Sequence, residues 1–339
     1  MRTDDFDYYL PPERIAQTPV EPRHASRLLV LKRASNQLEH STFWDMPGYL
    51  RPGDLLVINQ TRVLPARIFA RKPTGGRVEV LLLCREDALT WEALIGGKHV
   101  KSGTTLSIEG GPSVEVVDVL EGSRRRVRFT EPVEPTLEKI GQMPLPPYIH
   151  TRLENPERYQ TVYARQSGSA AAPTAGLHFT PELMEVLHKQ GINFCTVTLH
   201  VGLDTFAPVT EDDPETHVIH TEWCELTSEA AQQINQASKN GGRIVAVGTT
   251  SVRTLESAAK RAEPGERVGA FSGPTALFIL PGYTFRAVDI LVTNFHLPRS
   301  TLLMLVSAFA GRETILAAYQ TAVEMNYRFF SFGDAMLIE

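Results

Sequence analysis

A chain of 339 residues, 42% of them hydrophobic and 22% charged, can bury a large core, which excludes disordered and fibrous classes. The balance of 34 Lys and Arg against 39 Asp and Glu leaves a net charge of −5, so a surface that coats nucleic acid throughout is excluded while a local basic patch is not. Cys84, Cys195 and Cys224 form no C-x-x-C pair, and this odd count predicts buried thiols in a reducing cytosol rather than a disulfide framework.

In chain order, the N-terminus carries Asp4 and Asp5 and no apolar run, unlike a signal peptide. Residues 54–59 read as a core strand. Six β-type runs follow, at 66–72, 77–86, 90–95, 104–109, 114–121 and 124–130, separated by turn residues that include Gly96-Gly97 and Gly110-Gly111-Pro112. They predict a small barrel. Arg124, Arg126 and Arg128 alternate to one face of its last strand, which reads either as a phosphate-facing row or as a solvated edge strand. Pro144, Pro146 and Pro147 then make a stiff return linker.

Beyond the linker, strands at 194–199, 243–247 and 288–293 alternate with helices at 181–190, 252–261, 301–310 and 312–325. Thr180, Ser300, Gly191 and Gly311 stand where helix caps are expected. The apolar stretch 301–311 is about half a bilayer span, so a soluble, cytoplasmic chain without a membrane partner is expected. The predicted fold class is α/β: a large mixed α/β domain, residues 1–62 and 148–339, with a six-stranded β-barrel domain, 63–147, inserted.

Four segments carry candidate chemistry. The turn Gly248-Thr249-Thr250-Ser251 joins a strand to a helix, where free N–H groups and the helix dipole favour an anion, although capping explains Thr250 or Ser251 equally well. It lacks G-x-G-x-x-G, so a dinucleotide site is unsupported. The run 168–180 is rich in small residues that let a ligand approach the backbone, and it holds Thr174, Gly176, Leu177 and His178. Asn294 and His296 follow a strand, where α/β sheets collect ligands. Histidines 178, 200, 217, 220 and 296 lie near strand ends or turns, placed for proton transfer. His217-x-x-His220 lacks further ligands of matching spacing, so no metal is expected.

Charge is unevenly placed. Arg62, Arg67, Arg71, Lys72 and Arg77 occur without an intervening acid, and Arg124, Arg125, Arg126 and Arg128 cluster again. By contrast, residues 190–238 hold eight acids, Asp204 among them, and no Lys or Arg. One surface is therefore suited to phosphates and another repels them.

Several long segments together closely resemble the S-adenosylmethionine:tRNA ribosyltransferase-isomerase family of queuosine biosynthesis. They include Asp7-Tyr8-Tyr9-Leu10-Pro11, the run from Gly53 through Asn59, Thr61 and Arg62 to Val63, Pro146-Pro147-Tyr148-Ile149, the Ala-Pro-Thr-Ala-Gly-Leu-His-Phe run ending at Phe179, residues 247–256, Thr293-Asn294-Phe295-His296-Leu297-Pro298, and 327–336. Leu203-Asp204 departs from the family pattern, as do Ile219 and Thr221 where the family shows Met-His-Ser-Glu, and the barrel is the least matched part.

The resemblance implies that the ribosyl group of S-adenosylmethionine passes to the aminomethyl group of a 7-deazaguanine at the wobble position of tRNAs with GUN anticodons. Epoxyqueuosine forms, and adenine and methionine leave. S-adenosylmethionine is then a substrate, and no further cofactor is expected; a monomer is the default. Such chemistry needs a base for the 5′ proton, an acid for adenine and stabilisation of sulfonium charge. His178 and His200 are the candidates for proton transfer and Asp204 for the sulfonium. The substrate-binding candidates are Asn59, Thr61, Arg62, Thr174, Gly176, Leu177, Gly248, Thr249, Thr250, Ser251, Asn294 and His296, and Arg67, Arg71, Lys72, Arg77, Arg124, Arg125, Arg126 and Arg128 are expected on tRNA phosphates. Two rival readings remain, a tRNA methyltransferase using the same sulfonium and a non-catalytic RNA-binding barrel.

Overall fold

The computed structural model describes residues 1–97, 100–202, 208–219 and 221–339. Strands β1 (Arg27–Lys32) and β2 (Gln37–Thr42) form a hairpin, β3 (Leu55–Asn59) is buried along its length, and β4 (Thr61–Val63) leads away from it. Six strands follow: β5 (Arg67–Arg71), β6 (Arg77–Arg85), β7 (Thr90–Ile95), β8 (Thr105–Ile108), β9 (Val114–Val119) and β10 (Arg124–Phe129). They close into an antiparallel barrel because β5 pairs with both β6 and β8, Ala70 lying opposite Ile108. Its interior is filled by alternate residues such as Ile68, Val80, Trp91, Leu106, Val127 and Phe129. Closure leaves β10 between β7 and β9, which corrects the edge-strand reading of its arginines.

Helix α1 (Glu134–Ile140), the short β11 (Gly141–Gln142) against β5, and β12 (Gln166–Ser169), parallel to β4, bring the chain back. Then come α2 (Pro181–Lys189), β13 (Asn193–Leu199), β14 (Glu222–Leu226), α3 (Ser228–Lys239), β15 (Ile244–Val247) and α4 (Thr249–Ala259). β16 (Phe271–Thr275), β17 (Ile290–Asn294), α5 (Thr301–Ala310), α6 (Arg312–Glu324) and β18 (Ala335–Ile338) complete the fold. The described strands form a nine-stranded sheet in the order β16, β14, β13, β3, β15, β17, β18, β1, β2. Its centre, β13 to β17, is parallel, while β14, β16, β18 and β2 each run antiparallel to a neighbour.

Both faces of that centre are covered, so its strands are apolar throughout. Leu55, Val57, Ile244, Ala246 and Leu291 pack against α3, α4, α5 and α6, whereas Leu56, Ile58, Val245, Val247 and Val292 pack against α2, Phe43, Met46 and Phe179. The expected caps form: Thr180 Oγ1 accepts from Leu183 N at 3.3 Å and Ser300 Oγ from Leu303 N at 3.1 Å. Helices α5 and α6 are bent by 114° at Gly311, and no single helix among the described residues is long and apolar enough to cross a membrane. Cys195 and Cys224 are buried as expected, but Cys84 is exposed because it sits near the end of β6, outside the barrel core.

Candidate active site

A cleft opens at the carboxyl ends of β15 and β17, where a parallel sheet presents ligands to helix N-termini. Gly248 makes the turn into α4 at φ 85°, a conformation that suits glycine, and its N–H donates to Val292 O at 2.7 Å, tying the turn to β17. Thr249 and Thr250 of the first helical turn line the cleft, and no acid occupies that turn. Thr250 Oγ1 is buried without a hydrogen-bond partner among the described residues. Ser251 turns the other way and donates to Val247 O at 2.8 Å, so it serves the helix.

The opposite wall comes from β17 and the residues after it. Asn294 Nδ2 donates to Phe330 O at 2.9 Å and reaches His178 Nε2 at 3.3 Å, while Asn294 Oδ1 is buried and unpartnered among the described residues. His296 Nε2 lies 2.8 Å from Thr293 Oγ1, and burial pushes its pKa down to about 3. Small residues 172–175 and Val201 narrow one side. Tyr148 from the return linker closes another, its ring 4.8 Å from that of Phe330 and its hydroxyl 2.7 Å from Ser331 Oγ. No Asp, Glu, Lys or Arg lines the cleft among the described residues.

Thr174, Gly248, Thr249, Thr250, Asn294 and His296 therefore share one site. Gly176 and Leu177 stand behind its wall: a Cβ on Gly176 would fall 2.1 Å from the Tyr163 hydroxyl, and Leu177 packs with Tyr159 and Phe332. His178 is also outside the lining. Its ring is 4% exposed, stacks on Phe43 at 4.9 Å and has Nδ1 2.7 Å from Ser26 Oγ. Burial first, then repulsion from Arg23 and Arg328, pushes its pKa down to about 3. Both ring nitrogens of this proton-transfer candidate are thus engaged within the protein.

A second group forms beside β13. Asn59 Nδ2 donates to Leu199 O at 2.9 Å and its Oδ1 accepts from Thr61 N and Leu199 N, both at 3.1 Å, so Asn59 fixes backbone. Thr61 Oγ1 lies 2.8 Å from His200 Nδ1, and the His200 ring stacks on Trp223 at 5.4 Å with Gly168 against its edge. Burial lowers the His200 pKa, and its Nε2 has no partner among the described residues. Arg62 is paired with Glu157 at 2.5 Å. The buried Glu222 and Arg253 form an ion pair nearby, and Glu222 Oε1 accepts from Gly202 N at 2.7 Å. Asp204 and His220 lie outside the described residues, and His217 pairs with Glu211 at 2.9 Å.

On the barrel, Arg67 pairs with Glu79, Arg124 with Glu92, and Arg126 with Glu86 and Asp118. Arg125 turns to backbone carbonyls, including Val100 O. Arg71, Arg77 and Arg128 are exposed, Arg77 lying over the Phe69 ring at 3.9 Å. Lys72 is part-exposed beside the β5–β6 turn.

Sequence reasoning missed Tyr148, Phe330 and Ser331, although the segments that contain them carry the family resemblance. A family model described as a queuosine biosynthesis protein matches residues 3–338. Proteins of Symbiobacterium thermophilum and Moorella thermoacetica, each named S-adenosylmethionine:tRNA ribosyltransferase-isomerase, are 58% and 55% identical, with the alignment covering 100% of both chains in each case. The crystal structure of an S-adenosylmethionine tRNA ribosyltransferase from Thermotoga maritima is similar with a TM-score of 0.58 and 42% identity, over 99% of this chain and 100% of that one. The chain belongs to the queuosine biosynthesis protein family, the family of the S-adenosylmethionine:tRNA ribosyltransferase-isomerases.

Proposed function

We propose that the chain transfers and isomerises the ribosyl portion of S-adenosylmethionine onto the 7-aminomethyl-7-deazaguanine at the wobble position of tRNAs with GUN anticodons, giving epoxyqueuosine with release of adenine and methionine. The observation that carries this reading is the cleft itself: a small-residue wall, the aromatic rings of Tyr148 and Phe330, a helix N-terminus and two buried polar atoms without partners among the described residues. The helix N-terminus is suited to the methionine carboxylate. A lining without charged side chains among the described residues favours conversion of the sulfonium cation into a neutral thioether.

His296 is the imidazole on the cleft wall, and burial keeps it neutral while making it a weaker base than a free imidazole. In this reading it takes the C5′ proton, whose loss the adjacent sulfonium stabilises. The imidazolium so formed is a strong acid and delivers that proton to adenine as the C1′–N bond breaks. The aminomethyl nitrogen attacks C1′ and passes its own proton through His200 to solvent. The electron pair left on C5′ forms the C5′–C1′ bond as C1′–O4′ breaks, and the freed O4′ closes the epoxide on C5′ by displacing sulfur, which leaves with the bonding pair as neutral methionine. The α/β part, residues 1–62 and 148–339, would do this chemistry while the barrel part, 63–147, holds tRNA phosphates through Arg71, Arg77 and Arg128.

S-adenosylmethionine dideuterated at C5′ tests the proton route. The wild type should lose deuterium from C5′ as adenine is released, and His296→Gln should slow both by about a hundredfold or more. A variant rate within about threefold of wild type would remove His296 from proton transfer.

A further inference from the structure

The His178–Asn294 contact has a definite polarity. Both hydrogens of Asn294 Nδ2 are committed, one to Phe330 O at 2.9 Å and one to His178 Nε2 at 3.3 Å. His178 must therefore accept at Nε2 and donate from Nδ1 to Ser26 Oγ at 2.7 Å. Turning the amide over would set its oxygen against the Phe330 carbonyl. The chain of Ser26, His178 and Asn294 thus holds Oδ1 as a fixed acceptor on the cleft wall, with Asn294 only 3% exposed and Oδ1 unpartnered among the described residues.

A donor site stands beside it. β15 and β17 are adjacent and parallel, with Val247 level with Val292. The first turn of α4, starting just past Val247, and Asn294, two residues past Val292, therefore face one another across roughly one strand spacing, about 4.8 Å. Thr250 in that turn is 7% exposed, and its Oγ1 also lacks a partner among the described residues. A dipole that attracts an anion, next to a fixed oxygen that accepts N–H, matches the carboxylate and ammonium that share one α-carbon.

We infer that this end of the cleft recognises an α-amino-acid zwitterion, its carboxylate at the α4 N-terminus with Thr250 Oγ1 and its α-ammonium on Asn294 Oδ1, and that His178 is a positioning residue which orients Asn294. The inference rests on the reading of the cleft as the S-adenosylmethionine site and says which end of that molecule lies here. An adenine amine on Asn294 is the competing orientation.

Calorimetric titration of the full chain with S-adenosylhomocysteine, which carries the amino-acid tail, and 5′-methylthioadenosine, which lacks it, separates these outcomes. The wild type should prefer the former by about tenfold or more. Thr250→Val and His178→Phe should each cut that preference by about tenfold while leaving methylthioadenosine binding unchanged. His178→Gln, which retains an acceptor toward Asn294, should keep most of it. Thr250 Oγ1 makes no bond among the described residues, so Thr250→Val reports on the ligand even if His178→Phe misfolds. Preference unchanged within about twofold in a folded variant, or equal loss of both ligands, would overturn the inference. Equal wild-type binding of the two compounds would overturn it alone, whereas failure of the wild type to bind either would also overturn the reading of the cleft.

Discussion

Mild acid should destabilise this protein through two buried imidazoles, and His178→Phe should remove half of that effect. His178 and His296 have pKa values pushed down to about 3 from the ordinary 6.5, by burial first and, for His178, by Arg23 and Arg328 as well. Below about pH 6.5 the unfolded chain binds protons that the native chain refuses until about pH 3, so native stability is complete above that window and falls as pH drops through it. At about pH 5 the cost is about 2 kcal/mol for each ring and about 4 kcal/mol for both. That is a large share of a typical stability of about 5–15 kcal/mol. Urea unfolding at about pH 8 and about pH 5 should show the wild type losing about 2 kcal/mol more than His178→Phe. The same loss in both proteins would refute the claim that His178 is buried neutral with both nitrogens engaged.

Gly176→Ala should lower the unfolding midpoint, by about 1–3 kcal/mol of overpacking, because its Cβ would meet the Tyr163 hydroxyl at 2.1 Å and Thr161 Cγ2 at 2.8 Å. A wild-type midpoint would contradict that packing. On the barrel, alanine at Arg71, Arg77 or Arg128 should weaken tRNA binding and reduce the salt slope by roughly 0.7–0.9 per lost phosphate contact. Arg124→Ala and Arg126→Ala should change the slope less, since those guanidiniums already face Glu92, Glu86 and Asp118. Equal slope changes at all five positions would remove the distinction.

The barrel was legible because four of its five turns are marked by Gly or Pro, the exception being residues 86–89, and because its strands are short β-type runs. Helix α5 was legible from Ser300 and Gly311 at its ends. Strands β1 and β18 escaped notice for the opposite reason: Leu28 to Leu31 and Ala335 to Ile338 are buried on both faces and show no period, and they pair across nearly the whole length of the chain. Helix α3 offers only Ala230, Ala231 and Ile234 as its buried stripe, too little apolar signal to separate it from a loop. At the site, strand ends and helix starts already pointed to Thr250 and Asn294. What residue type alone did not carry was depth. A histidine reads as a proton carrier until its burial and its partners, here Ser26 and Asn294, are known. Tyr148 and Ser331 come to the cleft from a linker and from the C-terminal segment, so only the folded chain brings them together.

The central claim is that the ribosyl portion of S-adenosylmethionine, and not its methyl group, enters the tRNA. S-adenosylmethionine labelled separately in ribose and in methyl, supplied with tRNA carrying the aminomethyl-deazaguanine, tests this directly. The account predicts ribose label in the RNA, free adenine in equal amount, and methyl label leaving with methionine. Methyl label in the RNA without adenine release would contradict it.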